Sequence, residues 1–166
     1  MKICVRDAFA SDCYRKEYSF VLDNTQISDF PHGAVTDSVD VRAEISARDG
    51  IVSCALTVSA DFSVICSRCA AEFTLPFRSF SVKQIKRRDD GEFEDVIFAD
   101  GGFCFDIAKE ARAQIYFEFP AKPLCREDCK GLCSVCGCDL NAGSCSCDIK
   151  TADPRLDVLR KLIDNN

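Results

Sequence analysis

The sequence predicts an α+β fold: a twisted antiparallel β-sheet of about five or six strands, one packed helix and a C-terminal cysteine-rich zinc subdomain. Three observations carry that expectation. Apolar and polar residues alternate with a period of two through most of residues 39–82. A four-spaced apolar stripe, Ile107, Ala111, Ile115 and Phe119, follows them. Seven of the 13 cysteines then fall between Cys125 and Cys147.

Taken in chain order, Tyr18–Leu22 reads as a first short strand, followed by a polar stretch with Pro31, His32 and Gly33. Val39, Val41, Ala43 and Ile45 alternate with Asp40, Arg42, Glu44 and Ser46, the pattern of a half-buried strand. Asp49-Gly50 is the dipeptide of a tight hairpin turn. The clearest strand places Cys54, Leu56, Val58, Ala60, Phe62 and Val64 on one face. Cys66-Ser67-Arg68-Cys69 interrupts it, at the tip of a second hairpin. Alternation resumes with Ala71, Phe73, Leu75 and Phe77 and changes parity at Phe80 and Val82, which predicts a bulge or a strand bend near Arg78-Ser79. Lys86 to Glu92 reads as a charged, solvated loop.

Asp106 is placed to cap the helix that carries the four-spaced stripe, and Pro120 and Pro123 end it. Asp153-Pro154 is a second helix start, with Leu156, Leu159 and Ile163 as its apolar face. The expected division is residues 1–121 as a sheet domain with its helix, and residues 122–166 as a zinc-binding subdomain with a terminal helix.

With 166 residues and 47% hydrophobic content, the chain can bury a core; its 13 phenylalanines and lack of tryptophan make that core Phe- and aliphatic-rich. No apolar run approaches the roughly 20 residues that cross a bilayer, so no membrane partner is expected. The N-terminus turns charged before an export signal develops, which makes the cytoplasm the expected location. A net charge of −6 means the whole chain does not attract nucleic acid through its overall field. Contact with RNA then requires a local basic patch, such as Lys83, Lys86, Arg87 and Arg88, or a protein intermediary.

Thirteen cysteines against one histidine, an odd count and no export signal favour metal ligation over a disulfide scaffold. Cys133-Ser134-Val135-Cys136-Gly137 has the shape of a zinc knuckle: two thiolates on one tight turn, with a glycine that lets the backbone fold back beneath the ion. A closed site needs two more ligands. Cys125 and Cys129, Cys145 and Cys147, or one from each flank can supply them, and spacing does not choose. One Zn2+ per chain is the expectation. Cys66 and Cys69 read as a structural or metal-assisting pair, because β-alternation resumes after them where a thioredoxin-like motif would open a helix. Cys4, Cys13, Cys54 and Cys104 stand apart as ordinary thiols.

No catalytic constellation is visible. His32 lacks a nucleophile, Gly101-Gly102 is a turn, and no spacing implies a carboxylate pair or a small-molecule substrate. Two rival readings use thiols: a thiol–disulfide protein working through Cys66 and Cys69, and an iron–sulfur protein using Cys133, Cys136 and two neighbours.

Cys66-Ser-Arg-Cys69, the proline-ended helix, Cys125-Arg-Glu-Asp-Cys129-Lys-Gly-Leu-Cys133-Ser-Val-Cys136-Gly, Asp139-Leu-Asn141, Cys145-Ser-Cys147 and Asp153-Pro-Arg155-Leu156 occur in that order. In these residues the chain resembles the YceD-like family, the large ribosomal RNA subunit accumulation proteins. The resemblance implies a non-enzymatic bacterial or plastid factor in ribosome assembly, with a ribosome-assembly protein or precursor ribosomal RNA as partner. Ser134 stands where the family usually has proline, and Cys138 is an additional cysteine.

Overall fold

The computed structural model describes residues 1–23, 33–86, 96–101 and 103–147. Pro31 and His32, the charged run from Arg87 to Glu92, Gly102 and the helix expected from Asp153-Pro154 lie outside the described residues. The elements run β1 (Lys2–Cys4), α1 (Arg6–Ala10), β2 (Tyr14–Leu22), β3 (Ala34–Arg48), β4 (Ile51–Ile65), β5 (Glu72–Lys86), β6 (Val96–Phe98), β7 (Cys104–Asp106) and α2 (Ile107–Glu118).

A five-stranded sheet in the order β2-β3-β4-β5-β6 forms the body. Its first four strands are antiparallel neighbours in sequence order, while β6 joins β5 in parallel, so the sheet is mixed where a purely antiparallel one was expected. Asp49 (φ 53°) and Gly50 (φ 76°) close the β3–β4 hairpin in the left-handed conformation that a two-residue turn demands. One face of the sheet carries Val41, Ile45, Leu56, Val58 and Phe62, all essentially without exposure. Ile107, Ala111, Ile115 and Phe119 of the helix segment are buried as the four-spacing requires, and Phe119 meets Phe62 edge-on at 5.0 Å. Because Phe62 also contacts Phe77, Phe62→Ala is expected to cost about 3–5 kcal/mol in urea unfolding.

The bulge expected near Arg78-Ser79 is absent. β5 pairs with β4 in unbroken register from Ile65↔Glu72 to Val52↔Ile85, so Phe80 and Val82 lie on the open face of the sheet, 66% and 55% exposed. The core-facing positions are polar instead, and α2 meets them. Ser79 donates to Glu118 at 2.6 Å, Ser81 to Gln114 at 2.8 Å, and Lys83 to Glu110 at 3.3 Å; Gln114 also donates to Ser79. The two repeats match: four helical residues rise about 6 Å and two strand residues about 6.8 Å. Lys83 is thus ion-paired beneath the helix and does not belong to an open basic patch. The irregularity that does occur lies in β3, where Thr36, Asp37 and Ser38 intervene between Val35↔Phe62 and Val39↔Ala60.

At the other end, β1 and β7 form a small antiparallel pair, and the N-terminal amine reaches the Asp106 carboxylate at 2.8 Å. That ammonium, with the Ala108 N–H, holds the Asp106 carboxyl below its usual range. Cys4 and Cys104, expected to be separate thiols, sit directly opposite each other with 4.0 Å between their Cα atoms and form a disulfide. Their separation of 100 residues hides the pairing from any local pattern. The five-residue α1 was likewise not expected. Among the described residues no helix is long and apolar enough to cross a membrane.

Candidate metal centres

The β4–β5 hairpin tip and the chain after α2 are built against each other. Cys66 N–H donates to Ala71 O and Ala70 N–H to Cys66 O, with Ala70 at φ 57°, so the tip curls back on itself. Ser67 N–H then donates to Pro123 O at 2.9 Å and Leu132 N–H to Arg68 O at 3.1 Å, which straps residues 123–132 across the tip. The Arg68 guanidinium reinforces the strap through Glu127 O at 3.2 Å and Cys129 O at 2.8 Å. Gly131, at φ 77°, passes so close that an added Cβ would lie 2.9 Å from Arg68 O. The basic side chain in Cys66-Ser-Arg-Cys69 therefore serves the strap.

This arrangement gathers Cys66, Cys69, Cys125 and Cys129 into one group with all sulfurs within 4.8 Å. The Cys66 and Cys129 sulfurs are 3.8 Å apart and those of Cys69 and Cys125 3.7 Å. Cys66, Cys69 and Cys129 are buried. A second group holds Cys133, Cys136, Cys145 and Cys147, again within 4.8 Å, with Cys133 buried and Cys136 exposed. Its knuckle closes by Gly137 N–H to Cys133 O at 2.9 Å, with Gly137 at φ 73°. Two four-thiol groups thus stand where one four-thiol site was expected. Cys145 and Cys147 join the knuckle, whereas Cys125 and Cys129 turn to the hairpin pair. Cys138 stands beside the second group and outside it.

The electrostatics of the two groups follow one pattern. Backbone N–H groups of Cys125 and Cys69 draw the Cys66 thiol down to about 6, and those of Cys136 and Val135 draw Cys133 down to about 6. Burial, then the neighbouring thiols, push Cys125 up to about 12. The Cys136 thiol, then burial, pushes Cys147 up to about 12. The backbone thus stabilises a thiolate at Cys66 in the first group and at both Cys133 and Cys136 in the second, where the Cys138 N–H draws Cys136 down, while Cys125 and Cys147 resist ionising beside them. A divalent cation removes that resistance, so the donor sets suit metal coordination.

Asn141 supports the first group and the strap around it. Its amide nitrogen donates to Cys129 Sγ at 3.5 Å and to Asp139 at 2.7 Å. Its oxygen accepts from Lys130 N–H at 2.8 Å and from Arg126 at 2.7 Å. No leucine can reproduce these four bonds. Asn141→Leu is expected to lower metal affinity about 10–100-fold, as loss of a ligand-supporting partner does, measured by chelator competition.

The family model described as Large ribosomal RNA subunit accumulation protein YceD matches residues 54–163. The chain is also 44% identical over 43 residues to the Zea mays protein described as "Large ribosomal RNA subunit accumulation protein YCED homolog 1, chloroplastic". That stretch is 25% of this chain and 15% of the maize protein, so the chain spans a small part of that relative's length. No solved structure matches. The family match takes in most of β4, the hairpin tip, α2 and both thiol groups, more than half of the chain, and the chain belongs to the YceD family of large ribosomal RNA subunit accumulation proteins.

Proposed function

We propose that this protein is a non-catalytic accessory factor for accumulation of large-subunit ribosomal RNA, acting in the cytoplasm as a binding module braced by two zinc ions. Cys66, Cys69, Cys125 and Cys129 hold one ion; Cys133, Cys136, Cys145 and Cys147 hold the other. One observation carries the metal assignment. A regular tetrahedron with zinc–sulfur bonds of about 2.3 Å has sulfur–sulfur edges of about 3.8 Å, and the first group has spacings of 3.7 and 3.8 Å. A four-iron cluster interposes itself between its ligands and holds them wider apart, so these compact groups favour a single ion. With four thiolates each, both sites are closed, and the zinc supplies cross-linking and no open position for chemistry.

The ribosomal role draws on the family match and on the maize relative's description. The low thiol of Cys66 also suits a redox group, but Cys66 is only 2% exposed and its sulfur lies against Cys129. Depletion of the protein, read as the ratio of mature large- to small-subunit RNA, tests the proposal.

A further inference from the structure

The two sides of α2 differ in charge. Its acidic side chains are engaged inward: Glu110 with Lys83, and Glu118 with Ser79. Asp106 before it is held by the N-terminal amine. The outward side carries Lys109 and Arg112, both exposed, followed by Tyr116 at 61% and Phe117 at 82% exposure. The two rings meet edge to face, 6.0 Å apart at 88°. Lys109, Arg112 and Tyr116 follow the spacing i, i+3, i+7, so they form one stripe with Phe117 beside its end.

A large aromatic at 82% exposure is costly to keep in water, and a basic-aromatic stripe is conspicuous on a chain of net charge −6. We infer that the outward face of α2 is a contact site for single-stranded RNA. Lys109 and Arg112 would meet phosphates, while Tyr116 and Phe117 would stack on unpaired bases. The charge complementarity selects an anionic partner, and the aromatic pair selects one with exposed base faces, which a duplex keeps stacked inside. This inference rests on the ribosomal RNA reading and places its RNA contact on the helix. Lys83 of the patch expected from sequence is instead bound to Glu110.

The test uses the full-length, zinc-loaded protein and a fluorescent oligouridylate, with a duplex RNA of equal length as control, followed by anisotropy across a salt series. Wild type is expected to prefer the single strand. Tyr116→Ala and Phe117→Ala should each weaken binding about tenfold. Lys109→Glu with Arg112→Glu should make the log–log salt dependence shallower by about 1.4, two phosphate contacts' worth. Unchanged circular dichroism and melting temperature would show that these surface variants fold. Absence of binding by wild type at low salt, equal binding of duplex, or variants that bind like wild type would overturn the inference. So would helix variants that lose a protein partner while keeping RNA affinity. If depletion lowers large-subunit RNA but the helix variants restore it fully, the contact site falls and the assembly role stands.

Discussion

Protein purified without oxidation is expected to carry two zinc ions per chain, and their removal should release the hairpin tip and everything from Leu124 to Cys147 while the sheet stays folded. The reason lies in how the parts are held. The sheet and α2 share a continuous apolar core that includes Leu56, Phe62, Ile107 and Ile115. The segment after Pro123 is secured mainly by the strap at Ser67 and Arg68 and by the two thiol groups. Structural zinc contributes on the order of 10–16 kcal/mol to a small site, more than a handful of loop hydrogen bonds at about 1 kcal/mol each. Cys69→Ser should leave one ion and free the strap from the tip. Cys136→Ser should leave the other and loosen only residues 133–147. Acidification should release both ions, since protons compete for the thiolates and affinity falls as pH falls. Native mass spectrometry counts the ions and hydrogen exchange maps the loss. A single ion in wild type, or a protected 124–147 segment after chelation, would defeat the two-site assignment. Because the first group joins Cys66 and Cys69 to Cys125 and Cys129, a cut at Ala121 would divide it. The proposed 1–121 unit should therefore keep its β-sheet signal with a loosened hairpin tip.

Depletion of the protein in its own host should lower mature large-subunit RNA relative to small-subunit RNA. The protein should travel with precursor particles and be scarce on translating ribosomes. Wild type should restore the ratio. A Cys66→Ser, Cys129→Ser double variant should not, because the segment that it unlocks carries a large part of the family match. A redox role would show a different profile: Cys66→Ser and Cys69→Ser alone would abolish function, with zinc at the second group and the fold intact. An unchanged RNA ratio after complete depletion, in a strain with no second copy, would remove the ribosomal assignment.

Strands β3 and β4 were legible because one face of each is apolar almost without exception, so period two survives from Val39 to Val64. The α2 stripe was legible for the same reason. The second half of β5 was misread, since Ser79, Ser81 and Lys83 point inward while Phe80 and Val82 point outward. A hydrophobicity pattern assumes that the buried face is apolar, and here the neighbouring helix supplies Glu110, Gln114 and Glu118 as partners. The parallel addition of β6 was equally invisible, because strand direction depends on the path of the connection and not on the three residues that pair.

From the sequence by itself came the α+β class, the hairpin at Asp49-Gly50, the capped helix after Asp106 and the knuckle at Cys133 and Cys136. All of these are set by contacts within a few residues, where spacing and conformational preference act directly. Only the tertiary structure decided which thiols stand together. Cys66 meets Cys129 across 63 positions and Cys69 meets Cys125 across 56, while Cys145 and Cys147 fold back on the knuckle. Spacing nominates thiols that can share an ion. The register of β4 with β5 and the strap over their tip bring the first four together, and such long-range closure leaves no periodic trace in the chain.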